Sequence, residues 1–336
     1  MKMRSRLRYW VVLVVVGVVG VSGGCGNARN SGSTSGATSI IFDTDIGTDV
    51  DDAGALAILH VLADRGEAEI LATMSANRNR WSGPAIDVIN TYYGRPDLPI
   101  GSSKAGPDPE EWYRQSVGAY PHDLRSGDDA PDAIALYRKI LAGQPDGSVV
   151  IVVVGWLTNM AGLLESGPDE HSPLSGRELV KAKVKELIAM GGLWPNSRPG
   201  EGEYNFRMDG PAAYKVIRDW PGRIMFTGLG IDVMTGRRLA ADGPEDNPVR
   251  AFYRNFFKAN RVSERPSWDL IAVLYAVRGL GDYFAAETEG KCVGHEDGSN
   301  QWIAGESSGH SYLVHRMPPA ELAEVIEELL LTPPGR

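Results

Sequence analysis

From Ile40 onward, short wholly apolar runs alternate with stretches of helical period. Ile40–Phe42 reads as a buried strand, and the helical pattern that follows begins at Ala53 and continues through Leu56, Ile58, Leu59 and Leu62. Ala68–Met74 reads as a second strand. Ser148–Val154 is apolar on both faces, as a central strand of a parallel sheet must be. Val184–Met190 and Arg223–Thr227 are further strands. Between them, Pro84–Tyr93, Pro131–Leu141, Pro211–Asp219 and Pro248–Asn260 read as helices, each with proline in its first turn. This alternation predicts an α/β fold, a mostly parallel, Rossmann-like sheet flanked by helices. Gly281–Val293 and Asn300–Arg316 read as strands and turns, and Pro319–Leu331 as an amphipathic helix with an acidic face.

The first residues carry a different pattern. Lys2, Arg4, Arg6 and Arg8 precede an apolar run from Trp10 to Val21, whose 12 residues are too few to span a bilayer. Ser22-Gly23-Gly24-Cys25 follows and resembles a bacterial lipobox, with Ser22 where leucine is usual. Residues 1–25 are therefore expected to be a lipoprotein-type signal peptide, with Cys25 the lipidated first residue of the mature protein. An ordinary cleaved signal with an incidental cysteine is the other reading. Both export the chain, and the first places it in the cell envelope, periplasmic or at the surface. Residues 26–39 have the Gly, Ser, Thr and Asn content of a flexible linker, leaving 40–334 as the folded domain. Cys292 is the only other cysteine.

Charge then narrows the chemistry. A net charge of -9 argues against a nucleic-acid partner. Asp43, Asp45, Asp49, Asp51 and Asp52 fall within ten positions, at the carboxyl end of the first strand and the start of the first helix. Ligands bind at such strand ends in α/β folds. Five carboxylates side by side disfavour one another's ionisation unless a cation joins them. Oxygen-only ligation suits Ca²⁺ better than Zn²⁺. A solvated acidic loop with aspartate caps is the plainer reading. An EF-hand fails, because the twelfth position counted from Asp43 is Gly54 rather than glutamate. A phosphotransferase motif of the type Asp-x-Asp-x-Thr fails as well, since Thr48 stands three positions after Asp45.

The same run, Asp43-Thr44-Asp45-Ile46-Gly47-Thr48-Asp49-Val50-Asp51-Asp52, resembles the Asp-Thr-Asp-Pro-Gly-x-Asp-Asp signature of the inosine-uridine preferring nucleoside hydrolases. Its spacer is longer and Ile46 replaces the proline. Further matches follow in the family's order: Ser75-Ala76-Asn77, Gly155-Trp156-Leu157-Thr158-Asn159, Met190-Gly191-Gly192, Glu203-Tyr204-Asn205, Asp209–Ala213 and Arg265–Asp269. The resemblance implies that Asp45, Asp52, the Thr158 carbonyl and Asp269 bind Ca²⁺. It implies that Asp45 takes the proton of the attacking water, and that Asp51, Asn77, Glu203 and Asn205 hold the ribose. Asp209 is expected to cap a helix. Many members carry histidine immediately before the last aspartate, as the acid for the leaving base; here Trp268 stands there. Indole has no titratable proton near neutral pH. Purine-preferring members place tryptophan at this step, where it stacks on the base; a tryptophan packed in the core is the alternative.

The resemblance thus implies Ca²⁺-dependent hydrolysis of the N-glycosidic bond of ribonucleosides, leaning to purines. A non-catalytic or substrate-drifted Ca²⁺-dependent sugar or nucleoside binder is the second reading. The partner is a small nucleoside or related ribosyl compound, with the membrane touched only through the lipid anchor. Family members commonly form dimers or tetramers, so a homodimer or homotetramer stays open. Residues 101–130 form an irregular segment in which Trp112, Tyr113, Tyr120 and His122 either complete a binding lid or pack against the scaffold. His295, His310 and His315 lack metal-ligand spacing.

Overall fold

The computed structural model describes residues 36–108 and 113–335. The signal segment with Cys25 and the loop residue Trp112 lie outside them. The elements begin with β1 (Thr38–Thr44), α1 (Asp51–Asp64), β2 (Ala68–Ser75), α2 (Ser82–Tyr92), β3 (Ile100–Ser102) and α3 (Arg114–Val117). Next come α4 (Ala133–Ala142), β4 (Val149–Val153), α5 (Thr158–Glu165), α6 (Gly176–Lys183) and β5 (Val184–Ala189). Then follow α7 (Tyr204–Met208), α8 (Gly210–Asp219), β6 (Ile224–Phe226), β7 (Met234–Thr235), α9 (Arg237–Asp242) and α10 (Pro248–Asn260). The chain closes with β8 (Arg265–Pro266), α11 (Trp268–Arg278), β9 (Phe284–Glu287), β10 (Gly290–Gly294), β11 (Asn300–Ala304), β12 (His310–His315) and α12 (Pro319–Leu330).

Eight strands form one sheet in the order β3-β2-β1-β4-β5-β6-β12-β9, parallel except for the antiparallel edge pair β12–β9. From β1 the chain moves outward to β2 and β3, then returns across β1 to β4 and continues the other way. The strand order therefore reverses between β1 and β4, and the carboxyl ends of those strands diverge into a crevice. Every acid of the Asp43–Asp52 run lies at that reversal.

Both faces of the sheet are covered, which is why its strands read as continuous apolar runs. On one face α1, α2, α10, α11 and α12 bury Leu56, Leu59, Ile89, Phe252, Leu270 and Ile326. On the other, α4, α5, α6 and α8 bury Tyr137, Met160, Leu179 and Val216. α1 is buried all round, wedged between the sheet and α11, so its first-turn acids have little access to bulk water. Among the described residues, no helix is long and apolar enough to cross a membrane.

Several boundaries differ from expectation, three of them by a visible shift of the first residue. β1 starts at Thr38, where pairing with Ala68 on β2 draws two residues of the expected linker into the sheet. α1 begins at Asp51, before its apolar pattern is visible. α4 begins at Ala133, because Asp132 caps it by accepting from the Ala135 amide, leaving Pro131 outside the helix.

Candidate active site

The structure sorts the five acids into three environments. Asp43 is fully buried below the crevice; its carboxylate accepts from the Tyr137 hydroxyl at 2.8 Å and the Asn159 amide at 3.0 Å. Burial outweighs those two bonds and pushes its pKa up to about 7. Asp49 is bound to Arg265, whose Nε reaches both carboxylate oxygens at 2.9 Å and whose Nη2 donates to one of them. Asp45, Asp51 and Asp52 remain for the crevice.

Asp269 joins them from 217 residues further along the chain than Asp52. Ligand oxygens of Asp51, Asp52 and Asp269 lie within 4.8 Å of one another, and all three residues are buried. Asp51 and Asp52 open α1 and Asp269 sits in the first turn of α11. Two helix N-termini therefore meet here, an arrangement that favours negative charge. The Asp269 amide donates to Asp51 Oδ2 at 3.3 Å, and the Thr44 hydroxyl donates to Asp52 Oδ1. Burial first, then the neighbouring carboxylates, push the pKa of all three well above the ordinary carboxylate range. A donor set of buried anionic oxygens, with the nearby Arg265 held by Asp49, fits a hard divalent cation. Asp51, expected at the ribose, lies with Asp52 and Asp269 here, and Asp45 adjoins Asp52.

A cavity of about 490 Å³ opens over this cluster, and Asp45, Glu203, Asn205 and Trp268 line it together with the three acids. Asp45 follows β1, and its Oδ2 accepts from the Thr48 hydroxyl at 3.0 Å. Burial pushes its pKa up to about 7, with the Glu203 charge acting in the same direction. Gly155, just beyond β4, lets the two strand ends close: a Cβ there would stand 2.5 Å from the Asp45 amide nitrogen and 2.7 Å from its carboxylate. Glu203 caps α7, accepting from the Asn205 and Phe206 amides, and also from that of Gly192 at 3.3 Å. Asn205 donates to the Val154 carbonyl at 2.9 Å, and its Oδ1 takes no hydrogen bond from a described residue. The cap and this anchor aim the Glu-Tyr-Asn turn at the cavity.

Asn77 and Thr158 do not line this cavity. Asn77 is fully buried behind the loop, its amide donating to Ile46 O at 3.4 Å and its Oδ1 accepting from Ser82 at 2.8 Å. It braces the Asp45 loop. Thr158 heads α5 without capping it, and its hydroxyl donates to Asp209. Asp209 caps α8 as expected, accepting from the Ala212 amide. Tyr113 is buried, and its hydroxyl donates to Ile46 O at 3.0 Å, so it supports the Asp45 loop from below. Tyr120 lines a separate groove beside Arg254 and Lys258. His315 contacts Asp232, and His310 accepts from the Cys292 amide.

The cavity rim is formed by residues that local pattern does not mark. Leu193, Tyr204 and Ile231 are exposed there, Ile231 by 74%, and Arg265 lies against the Trp268 ring. An isolated apolar residue in a Gly-rich turn carries no signal of its own, and Arg265 reads as a solvated charge until its partner is known.

Comparison with known proteins agrees with this geometry. The sequence profile of the inosine-uridine preferring nucleoside hydrolases matches residues 40–307. No curated protein sequence matches the chain. Among solved structures, the purine-preferring ribonucleoside hydrolase from Gardnerella vaginalis is 16% identical with a TM-score of 0.64, covering 88% of this chain and 98% of its own. The inosine-uridine preferring nucleoside hydrolase from Bacillus anthracis is 17% identical with a TM-score of 0.61, covering 87% and 99%. The type III effector XopQ, solved with adenosine diphosphate ribose, is 16% identical with a TM-score of 0.63, covering 89% and 94%. At such identities these likenesses establish the fold, and the profile match over most of the chain establishes the family. The chain belongs to the inosine-uridine preferring nucleoside hydrolases, metal-dependent hydrolases of N-glycosyl compounds.

Proposed function

We propose that the protein is a Ca²⁺-dependent ribonucleoside hydrolase with a preference for purine nucleosides, exported and held at the cell envelope through Cys25. The observation that carries the catalytic reading is the convergence of Asp45, Glu203, Asn205 and Trp268 on the cavity above Asp51, Asp52 and Asp269. Asp51, Asp52 and Asp269 would hold the ion, with Asp45 beside them. Bound there, Ca²⁺ would balance the carboxylate charge and supply Lewis acidity toward oxygen ligands.

The chain's own groups account for the rest. Asp45 accepts the proton of the attacking water as its oxygen bonds to the anomeric carbon. The C–N bond breaks, its electron pair leaves with the base, and the base takes a proton from solvent. Glu203 and the free Oδ1 of Asn205 orient the sugar, and orientation contributes several kcal/mol to lowering such barriers. Trp268 offers an indole face to the base, which favours the larger purine ring system. Leu193, Tyr204 and Ile231 give the rim an apolar surface suited to the same end.

Trp268 also favours a second reading. With no titratable proton at that position, the site would suit a Ca²⁺-dependent binder, or a hydrolase of another ribosyl compound. The test is ribose release by the purified protein from inosine, guanosine, adenosine, cytidine and uridine, with Ca²⁺ or with chelator. Purine-selective release that chelation abolishes is the expected result. Nucleoside binding in Ca²⁺ with no ribose released would overturn the catalytic reading in favour of the binder.

A further inference from the structure

Breaking a glycosidic C–N bond leaves an electron pair on the base, which must meet a proton or a positive charge. Among the described residues no histidine lines the cavity, and its carboxylates already have work: three form the acidic cluster, Asp45 would face the water, Glu203 caps α7 and Asp49 is paired. Arg265 is the one cation among the described lining residues.

Its guanidinium is fixed on several sides. Nε and Nη2 are bound to Asp49, while Cζ lies 5.2 Å from the centre of the Trp268 ring and 5.3 Å from that of Phe256. Arg265 therefore lies against the indole that lines the cavity, and its own side chain lines that cavity beside it. Nη1 takes no hydrogen-bond partner among the described residues. Asp49 has a second effect. Unclamped, a guanidinium this close to Asp51 would be drawn into the acidic cluster and compete with the metal.

We propose that Arg265, clamped by Asp49 against Trp268, receives the leaving base, supplying hydrogen-bond donors and a fixed positive charge where an acid would supply a proton. The inference rests on the hydrolase reading above. Guanidinium keeps its proton throughout the working pH range, so it stabilises the departing electron pair without transferring a proton. Solvent then protonates the base.

The experiment compares wild type, Arg265→Gln and Arg265→Lys, in Ca²⁺, on inosine and on 4-nitrophenyl riboside, whose leaving group needs little help. Arg265→Gln is expected to lower kcat/KM for inosine by on the order of 10²-fold, as loss of one charge-stabilising donor does. The loss on the riboside should be smaller by at least about tenfold, and Arg265→Lys should recover part of the inosine activity by restoring charge without the planar fork. Wild-type kcat/KM for inosine should show no falling limb up to about pH 9, since no acid in the histidine range is being lost. Equal losses on the two substrates, or full inosine activity in Arg265→Gln, would overturn the inference while leaving the hydrolase intact. A wild type that cleaves neither substrate would overturn the hydrolase reading, and this inference with it.

Discussion

Asp43 and Asp45 stand two residues apart, both buried and both with pKa values pushed up to about 7, yet they face different tasks. Asp45 lines the cavity, so Asp45→Asn should lower kcat by about 10²- to 10⁴-fold, the usual contribution of a general base. Its melting temperature should stay close to wild type, because amide and carboxylate are nearly isosteric. Ribose release beside a thermal melt checks both halves; near-normal turnover would remove Asp45 from the mechanism. Asp43→Ala should do the reverse. It strands the Tyr137 hydroxyl and leaves the Asn159 amide only its bond to the Ser75 carbonyl, at a cost of about 2–4 kcal/mol. Urea unfolding is the measurement, and an unchanged midpoint would refute the structural role.

The site is assembled where element ends meet. β1 and β4 part at the strand reversal, and only the missing side chain of Gly155 lets the β4 end approach Asp45. Gly155→Val should displace the Asp45 loop and lower kcat at least tenfold, a misplacement effect of the kind that costs orientation. The contrast of interest is with Gly167→Val, in open surroundings, which should leave kcat unchanged. Equal activity in the two variants would show that strand closure does not position Asp45. The α1 and α11 N-termini make the matching contribution, bringing Asp51, Asp52 and Asp269 together where both helix ends favour anions. Periodicity reveals that these helices exist. It says nothing about which two ends will face each other, and the acids of α1 lie outside its apolar repeat.

For the whole molecule, the buried cluster ties stability to pH and metal. Acids whose pKa is raised by folding hold protons more tightly in the folded chain. They therefore favour folding below about pH 4, and that stabilisation is lost as pH rises through the folded pKa. In chelator, the melting temperature should fall between pH 5 and pH 8 as Asp45 is forced to ionise, and Asp51, Asp52 and Asp269, raised further, should extend the fall with rising pH. Excess Ca²⁺ should shrink that fall, leaving the share due to Asp43, and at 100-fold over Kd it adds about 2.7 kcal/mol. Parallel melting curves with and without Ca²⁺ would refute a cation at this cluster. The sequence alone implies the parallel sheet, since strands buried on both faces must be apolar throughout and the turns between them must break that pattern. It also determined that anions gather after β1, because five carboxylates within one loop have nowhere else to go. Which of them face the cavity follows from the packing of the folded chain. Asp49 is neutralised by Arg265, 216 residues away, and Asp51 meets Asp269 across 218. Asn77 bonds the Ile46 carbonyl, and the Thr158 hydroxyl bonds Asp209. Such pairings depend on how strand ends and helix ends converge, and local pattern carries no record of that convergence.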